Sequence, residues 1–187
     1  MHEDFGRLLI SLARNAIAEV LEIGPPCSAD RTDSRLAPKG ASFVTLTESG
    51  ELRGCIGSLE ARRPLGDDIR ENAVAAAFDD PRFEPLAMSE FDRIRVEVSL
   101  LEPAIPMEFT DETDAMRRLV PGVDGLILSF GGRRATFLPQ VWETLPAPKD
   151  FLGHLKLKAG LPAAFWDNRI TLARYTVRKW KETTWPE

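Results

Sequence analysis

Cysteine and histidine are almost missing from this chain, with two of each in 187 residues. Cys27 and Cys55 lie far apart and form neither a C-x-x-C pair nor a zinc-ligand spacing. That excludes a scaffold built on disulfides and makes a reduced, cytoplasmic setting the expectation. With only His2, near a terminus, and His154 as imidazoles, a thiol nucleophile has few general bases to draw on. Cys55, His154 and a carboxylate make no ligand-spaced cluster, so no metal and no other cofactor is expected. Basic residues are in deficit as well. The formal net charge of −5 leaves too few clustered cations to displace counterions from phosphates, so strong binding to nucleic acid is not expected. Long apolar runs are absent: the opening MHEDFGRLLISLARNAIAEVLEIG alternates charged with apolar residues, unlike a signal peptide, and nothing reaches the length of a membrane span. The phosphate-binding G-x-x-x-x-G-K-[ST] loop, the dinucleotide turn G-x-G-x-x-G, the hydrolase elbow G-x-S-x-G and the zinc helix H-E-x-x-H are all missing.

What is present is a chain with 43% hydrophobic residues, enough to bury a core and to read as a single domain over residues 1–187. From Glu3 to Glu22, Phe5, Leu8, Leu9, Leu12, Ala13, Ala16 and Val20 follow helical spacing, with Arg7, Arg14 and Glu19 assigned to the wet face. Gly24, Pro25 and Pro26 end that helix, and a polar loop carrying Cys27 runs to Gly40. Residues 41–59 read as a hairpin turning at Ser49-Gly50, with 42–59 in an antiparallel sheet. After Pro64, GDDIRENAVAAAFDD reads as a helix with Asp67 and Asp68 in its first turn and a stripe of Ile69, Ala73, Ala76 and Ala77. RIRVEVSLL follows as a strand whose Ile94, Val96, Val98 and Leu100 share one face. A short helix around 111–120, a hairpin turning at Gly131-Gly132, two helical stretches and a long closing strand, RITLARYTVRKW, complete the chain. Strands outnumber βαβ units, so the fold class is α+β with a largely antiparallel sheet flanked by helices.

The stretch ELRGCIGSLE puts two glycines and a cysteine into a strand, where glycine ordinarily weakens packing and marks a close approach. With a two-residue turn, Cys55 faces Val44 and Arg53 faces Leu46, so Arg53, Cys55 and Gly57 share one face and Gly54 takes the other. A guanidinium at Arg53 beside Cys55 favours thiolate, the form that acts as nucleophile, and Gly57 leaves room for a substrate. On this reading Gly57→Ala impairs function and spares the fold, while Gly54→Ala crowds the core. The bland reading makes Cys55 a buried packing residue. Glu97, on the polar face of its strand, is either part of an Arg–Glu ladder with Arg95 or a general acid or base lining one cleft with Arg53 and Cys55. Arg82 in DPRF either closes its turn by a salt bridge or binds a carboxylate or phosphate. Lys158 offers a point charge, or simply a solvated helix face; His154, among leucines, reads as a structural or surface histidine or as a catalyst.

The segments FVTL, LRGCIGSLE, DPRFEPL, VEVSLL, ATFLPQVW and FLGHLKLKAGLP occur in the order seen in the AMMECR1 domain family, and the chain resembles that family from about residue 5 to residue 180. The resemblance implies an α+β domain with a larger and a smaller lobe and a groove between them, with LRGCIG as functional centre. It implies no established reaction. Some bacterial and archaeal members look like partners of a Memo-like protein and a radical-SAM protein, which would make the chain part of a three-component system. Two functions follow as expectations. One is an enzyme or enzyme subunit acting on an unknown small molecule at Cys55, with Glu97 catalytic and Arg53, Gly54, Gly57, Arg82 and Lys158 binding substrate. The other is a non-catalytic binding or scaffold protein recruited by protein partners.

Overall fold

A computed structural model describes residues 2–24 and 32–182, apart from the side chain of His2. Cys27, assigned by pattern to the long loop, lies outside the described residues. The chain divides into two units, Met1–Leu101 with Arg178–Glu187 and Glu102–Val177.

The larger unit opens with helix α1 (His2–Val20), whose Leu9, Leu12, Ala13, Ala16 and Ile17 are buried on one side. Two assignments on this helix need correction. Val20 is half exposed, and Arg14, expected in water, is drawn inward: its Nε and Nη2 donate to Glu182 at 2.7 and 2.8 Å, and it reaches the carbonyls of Phe91 and Ile94. Strands β1 (Lys39–Glu48) and β2 (Glu51–Gly57) form the expected hairpin. Ser49 and Gly50 both take positive φ, 53° and 87°, the geometry a two-residue turn between twisted strands demands. The short β3 (Arg63–Pro64) continues along the same side of β1, and helix α2 (Leu65–Phe78) follows it. With β4 (Ile94–Leu101) and β9 (Val177–Lys181) the strands make a five-stranded sheet in the order β2-β1-β4-β9, with β3 beside β1. Val44, Leu46, Ile94, Val96 and Val98 from its inner face pack with α1 and α2 in one core.

The smaller unit holds β5 (Ile105–Met107), α3 (Glu112–Arg118), β6 (Gly125–Phe130), β7 (Arg133–Phe137), α4 (Pro148–Lys158) and β8 (Thr171–Tyr175). Its four strands run in the order β5-β8-β6-β7, all antiparallel to their neighbours. Trp142 stacks on Phe151 with ring centroids 3.7 Å apart at the centre of its core. The α+β class is therefore observed, but with two sheets rather than one. The closing run RITLARYTVRKW is also not one strand. It breaks at Thr176, so that β8 joins the smaller unit's sheet and β9 the larger unit's. Among the described residues no helix is long and apolar enough to cross a membrane.

Candidate functional site

Strand β2 departs from the simple hairpin register at one residue. Glu48 pairs with Glu51 and Thr47 with Leu52, but Leu46 pairs with Gly54, so Arg53 is the extra residue of a β-bulge. Cys55 therefore faces Thr45 and not Val44, and Arg53 faces no residue of β1 at all. Beyond the bulge, alternation puts Cys55 and Gly57 on one face, with Thr45 and Phe43 of β1 and Glu97 and Ser99 of β4. Gly54 and Ile56 point the other way, toward the core.

The glycines answer to packing on both sides. A Cβ on Gly54 would lie 2.0 Å from the carbonyl oxygen of Ala76, so this glycine lets α2 press its backbone onto the sheet and offers a substrate no surface. A Cβ on Gly57 would lie 2.2 Å from the ring of Phe43, whose side chain already fills the space expected for a ligand.

Cys55 is half-buried, and the hydroxyl of Thr45 donates to its sulfur at 3.3 Å. β2 is an edge strand, and at Cys55 its outward backbone groups are met by side chains from the turn after α2. The Cys55 N–H donates to Asp80 Oδ2 at 2.8 Å, and Arg82 Nη2 donates to the Cys55 carbonyl at 3.3 Å. Arg82 also grips Asp80 through Nε and Nη2, at 2.9 and 2.7 Å. Asp80 is buried, and its carboxyl is held well below the usual carboxylate range, chiefly by the Arg82 hydrogen bonds and further by the N–H groups of Cys55 and Arg82. The pair thus stands in for a neighbouring strand and fixes the thiol's backbone.

Arg53, re-aimed by the bulge, pairs with Glu90 (Nε to Oε1, 2.7 Å), donates to the Glu84 carbonyl at 3.0 Å and lies over the ring of Phe83. Its charge is spent on Glu90, whose own carboxyl it lowers. The guanidinium beside Cys55 is accordingly Arg82, itself paired with Asp80 and also over the ring of Phe83. Glu97 shares the Cys55 face but sits across Thr45, two strands and so about 10 Å away. It is engaged by Lys179 and Lys181 of β9, at 3.9 and 3.1 Å, so it belongs neither to a ladder with Arg95 nor to a direct pair with the thiol. Arg95 turns to the carbonyls of Asp92 and Ile94. Lys158 belongs to the smaller unit, where Nζ donates to the Thr136 carbonyl at 3.0 Å. His154 is exposed there, its Nδ1 2.9 Å from the Asp150 carbonyl. Among the described residues no group of three or more His, Cys, Asp and Glu could hold a metal ion.

Asp80, Glu90 and Thr45 are the neighbours that sequence reasoning missed. The signal for Asp80 was the turn DPRF itself, whose acid could bond back to a strand as readily as to its own turn. The arrangement presents a thiol at a fixed place on a polar sheet face, with a hydroxyl on its sulfur and a guanidinium alongside.

A family model described as AMMECR1 matches residues 10–180. The chain is similar to protein MK0488 of Methanopyrus kandleri, 39% identical over 169 residues that cover 86% of this chain and 80% of that protein. It is also similar to a protein of Methanothermobacter thermautotrophicus, 38% identical over 189 residues covering 97% and 96% of the two. Among solved structures it resembles the crystal structure of the uncharacterized protein PH0010 from Pyrococcus horikoshii, with a TM-score of 0.77 at 34% identity over 96% of this chain and 92% of that one.

Proposed function

We propose, since the chain belongs to the AMMECR1 family, that it is an enzyme or enzyme-system component handling a small substrate on the Cys55 face of its larger unit. Cys55 is the reacting thiol, Arg82, paired with Asp80, the guanidinium that fixes its carbonyl, and Glu97 an acid or base farther along the same face. The observation that carries this reading is the clamp: Asp80 and Arg82 hold both backbone groups of Cys55, a residue that is only half-buried. A packing cysteine needs no such hold. The family resemblance adds a Memo-like and a radical-SAM protein as the partners with which the chain would work.

A second reading, a non-catalytic binding protein recruited by protein partners, draws on the sulfur's company: its side-chain partner is a hydroxyl, and no imidazole donates to it or accepts from it among the described residues. Iodoacetamide labelling, mapped by mass spectrometry and run on native and denatured protein at several pH values, tests the first reading. Native labelling at Cys55 supports it; labelling only after denaturation removes Cys55 as a nucleophile and leaves the binding reading.

A further inference from the structure

We infer that the free edge of β2 at Gly57, with the pocket beside it, binds a carboxylate. In an antiparallel ladder the inward and outward backbone groups alternate. The Ser58 N–H donates to the Ser42 carbonyl at 2.8 Å, so Ser58 faces inward and Gly57, like Cys55, turns its N–H and C=O out from the sheet. At Cys55 those groups are met by a carboxylate and a guanidinium supplied by the chain itself. At Gly57, two residues on, the corresponding groups have no partner among the described residues.

Gly57 borders a pocket of about 550 Å³, lined also by Ser58, Leu59, Glu60, Arg62, Arg63 and Asp68, in the gap where the chain leaves β2 before rejoining β1 as β3. Asp68 does not compete for a ligand. It is 1% exposed and already accepts from the Ser42 N–H and hydroxyl, Ser58, Arg63 and Asn72. Its effect is to hold Ser58 and the Arg63 guanidinium in place at the pocket wall. Arg62 pairs with Glu60, but its side chain is 81% exposed, and an ion pair in water is worth so little that an incoming carboxylate can exchange for Glu60. Arg63 is itself held by Asp68 through Nε, by Ser58 through Nη2 and by Glu71 at Nη1, so the donor set a flat, two-oxygen anion meets is one outward N–H beside the exposed Arg62 guanidinium. The volume suits a small carboxylic acid or the last residues of a peptide. Both sources offer the same group, and the site is separate from the chemistry proposed at Cys55.

The test is a ¹⁵N NMR titration of the full chain with three probes at matched ionic strength: succinate, N-acetyl-trialanine as its free acid, and the same peptide as its amide. Saturable shifts of the Gly57 and Ser58 amides with an acid probe but not with the amide are expected, together with at least a fivefold weaker dissociation constant in Arg62→Ala, a substitution at an exposed side chain that leaves the fold intact. Tighter binding of succinate identifies a free acid as the ligand; tighter binding of the peptide acid identifies a chain terminus. No saturable shift at Gly57 and Ser58 with either acid, or binding equally tight in Arg62→Ala, overturns the proposal. Cys55 labelling decides the earlier reading independently, so the two can fail separately.

Discussion

Replacing Gly54 by alanine tests how closely α2 lies on the sheet. The new methyl carbon would stand 2.0 Å from the Ala76 carbonyl oxygen and 3.0 Å from its carbon. Ordinary contact is about 3.5 Å, so strand and helix must separate by about 1.5 Å. The obstacle is backbone, and no side-chain rotation relieves it. Separation would loosen Ile69, Ala73, Ala76 and Ala77, none more than 2% exposed. Overpacking of this kind costs about 1–3 kcal/mol, and the rigid obstacle places Gly54→Ala at about 3 kcal/mol. At about 2–4 °C per kcal/mol for a chain of this size, the melting temperature falls by about 6–12 °C. Gly57→Ala meets the ring of half-buried Phe43, which can swing aside, so its cost is about 1 kcal/mol. Thermal melts by circular dichroism of both variants and of Ala76→Gly/Gly54→Ala make the measurement. The double variant should be no more stable than Gly54→Ala, because the Ala76 methyl is not what the new carbon strikes. A Gly54→Ala melt within about 2 °C of the parent, or above that of Gly57→Ala, would refute the close approach.

Asp80→Ala strands the Cys55 N–H and frees Arg82, and urea melts should show a loss of about 1–3 kcal/mol together with a changed rate of Cys55 labelling. Asp80 and Glu90 titrate below their ordinary values in the folded chain, so between the folded and unfolded values the unfolded state binds more protons. Their contribution is therefore full above about pH 4–5 and lost as the pH falls through the folded values; urea melts between pH 6 and pH 3 should show a shallower decline in Asp80→Asn than in the parent. In the smaller unit, Lys156 is 1% exposed and pairs with Glu112 at 2.6 Å. Glu112→Ala leaves a buried ammonium uncompensated and should cost about 3–5 kcal/mol, whereas Lys156→Met/Glu112→Ala should recover most of that loss in the same melts.

The parts of the fold legible in the sequence are those set by short-range periodicity. The alternation of Ile94, Val96, Val98 and Leu100 and the turns at Ser49-Gly50 and Gly131-Gly132 all appear where the pattern puts them. The bulge at Arg53 was not legible, because one extra residue in a strand leaves no local mark, and it moved the partner of Cys55 from Val44 to Thr45. The sharing of a face by Cys55 and Gly57 was readable all the same, since both follow the bulge and parity is kept between them. The break at Thr176 was hidden for a related reason. Alternation runs through it unchanged, and only the choice of sheet on either side divides β8 from β9. Arg14 with Glu182 and Asp80 with Cys55 are long-range pairs, and a charged residue on an amphipathic pattern reads as solvated until its distant partner is known.

The strand at the centre of the site shows why the glycine pattern invites a functional reading and why that reading needs revision. Glycine was expected where a ligand approaches the face of β2, yet both faces are taken, one by the Ala76 carbonyl and the other by the Phe43 ring. What remains accessible is the edge. There the chain closes one outward position with Asp80 and Arg82 and, among the described residues, supplies no partner at the next, so a single strand carries both a clamped thiol and an open pair of backbone groups. Since Asp80 accepts at Cys55 from the same outward N–H that has no partner at Gly57 among the described residues, the carboxylate a ligand would bring to the open position is already present at the closed one.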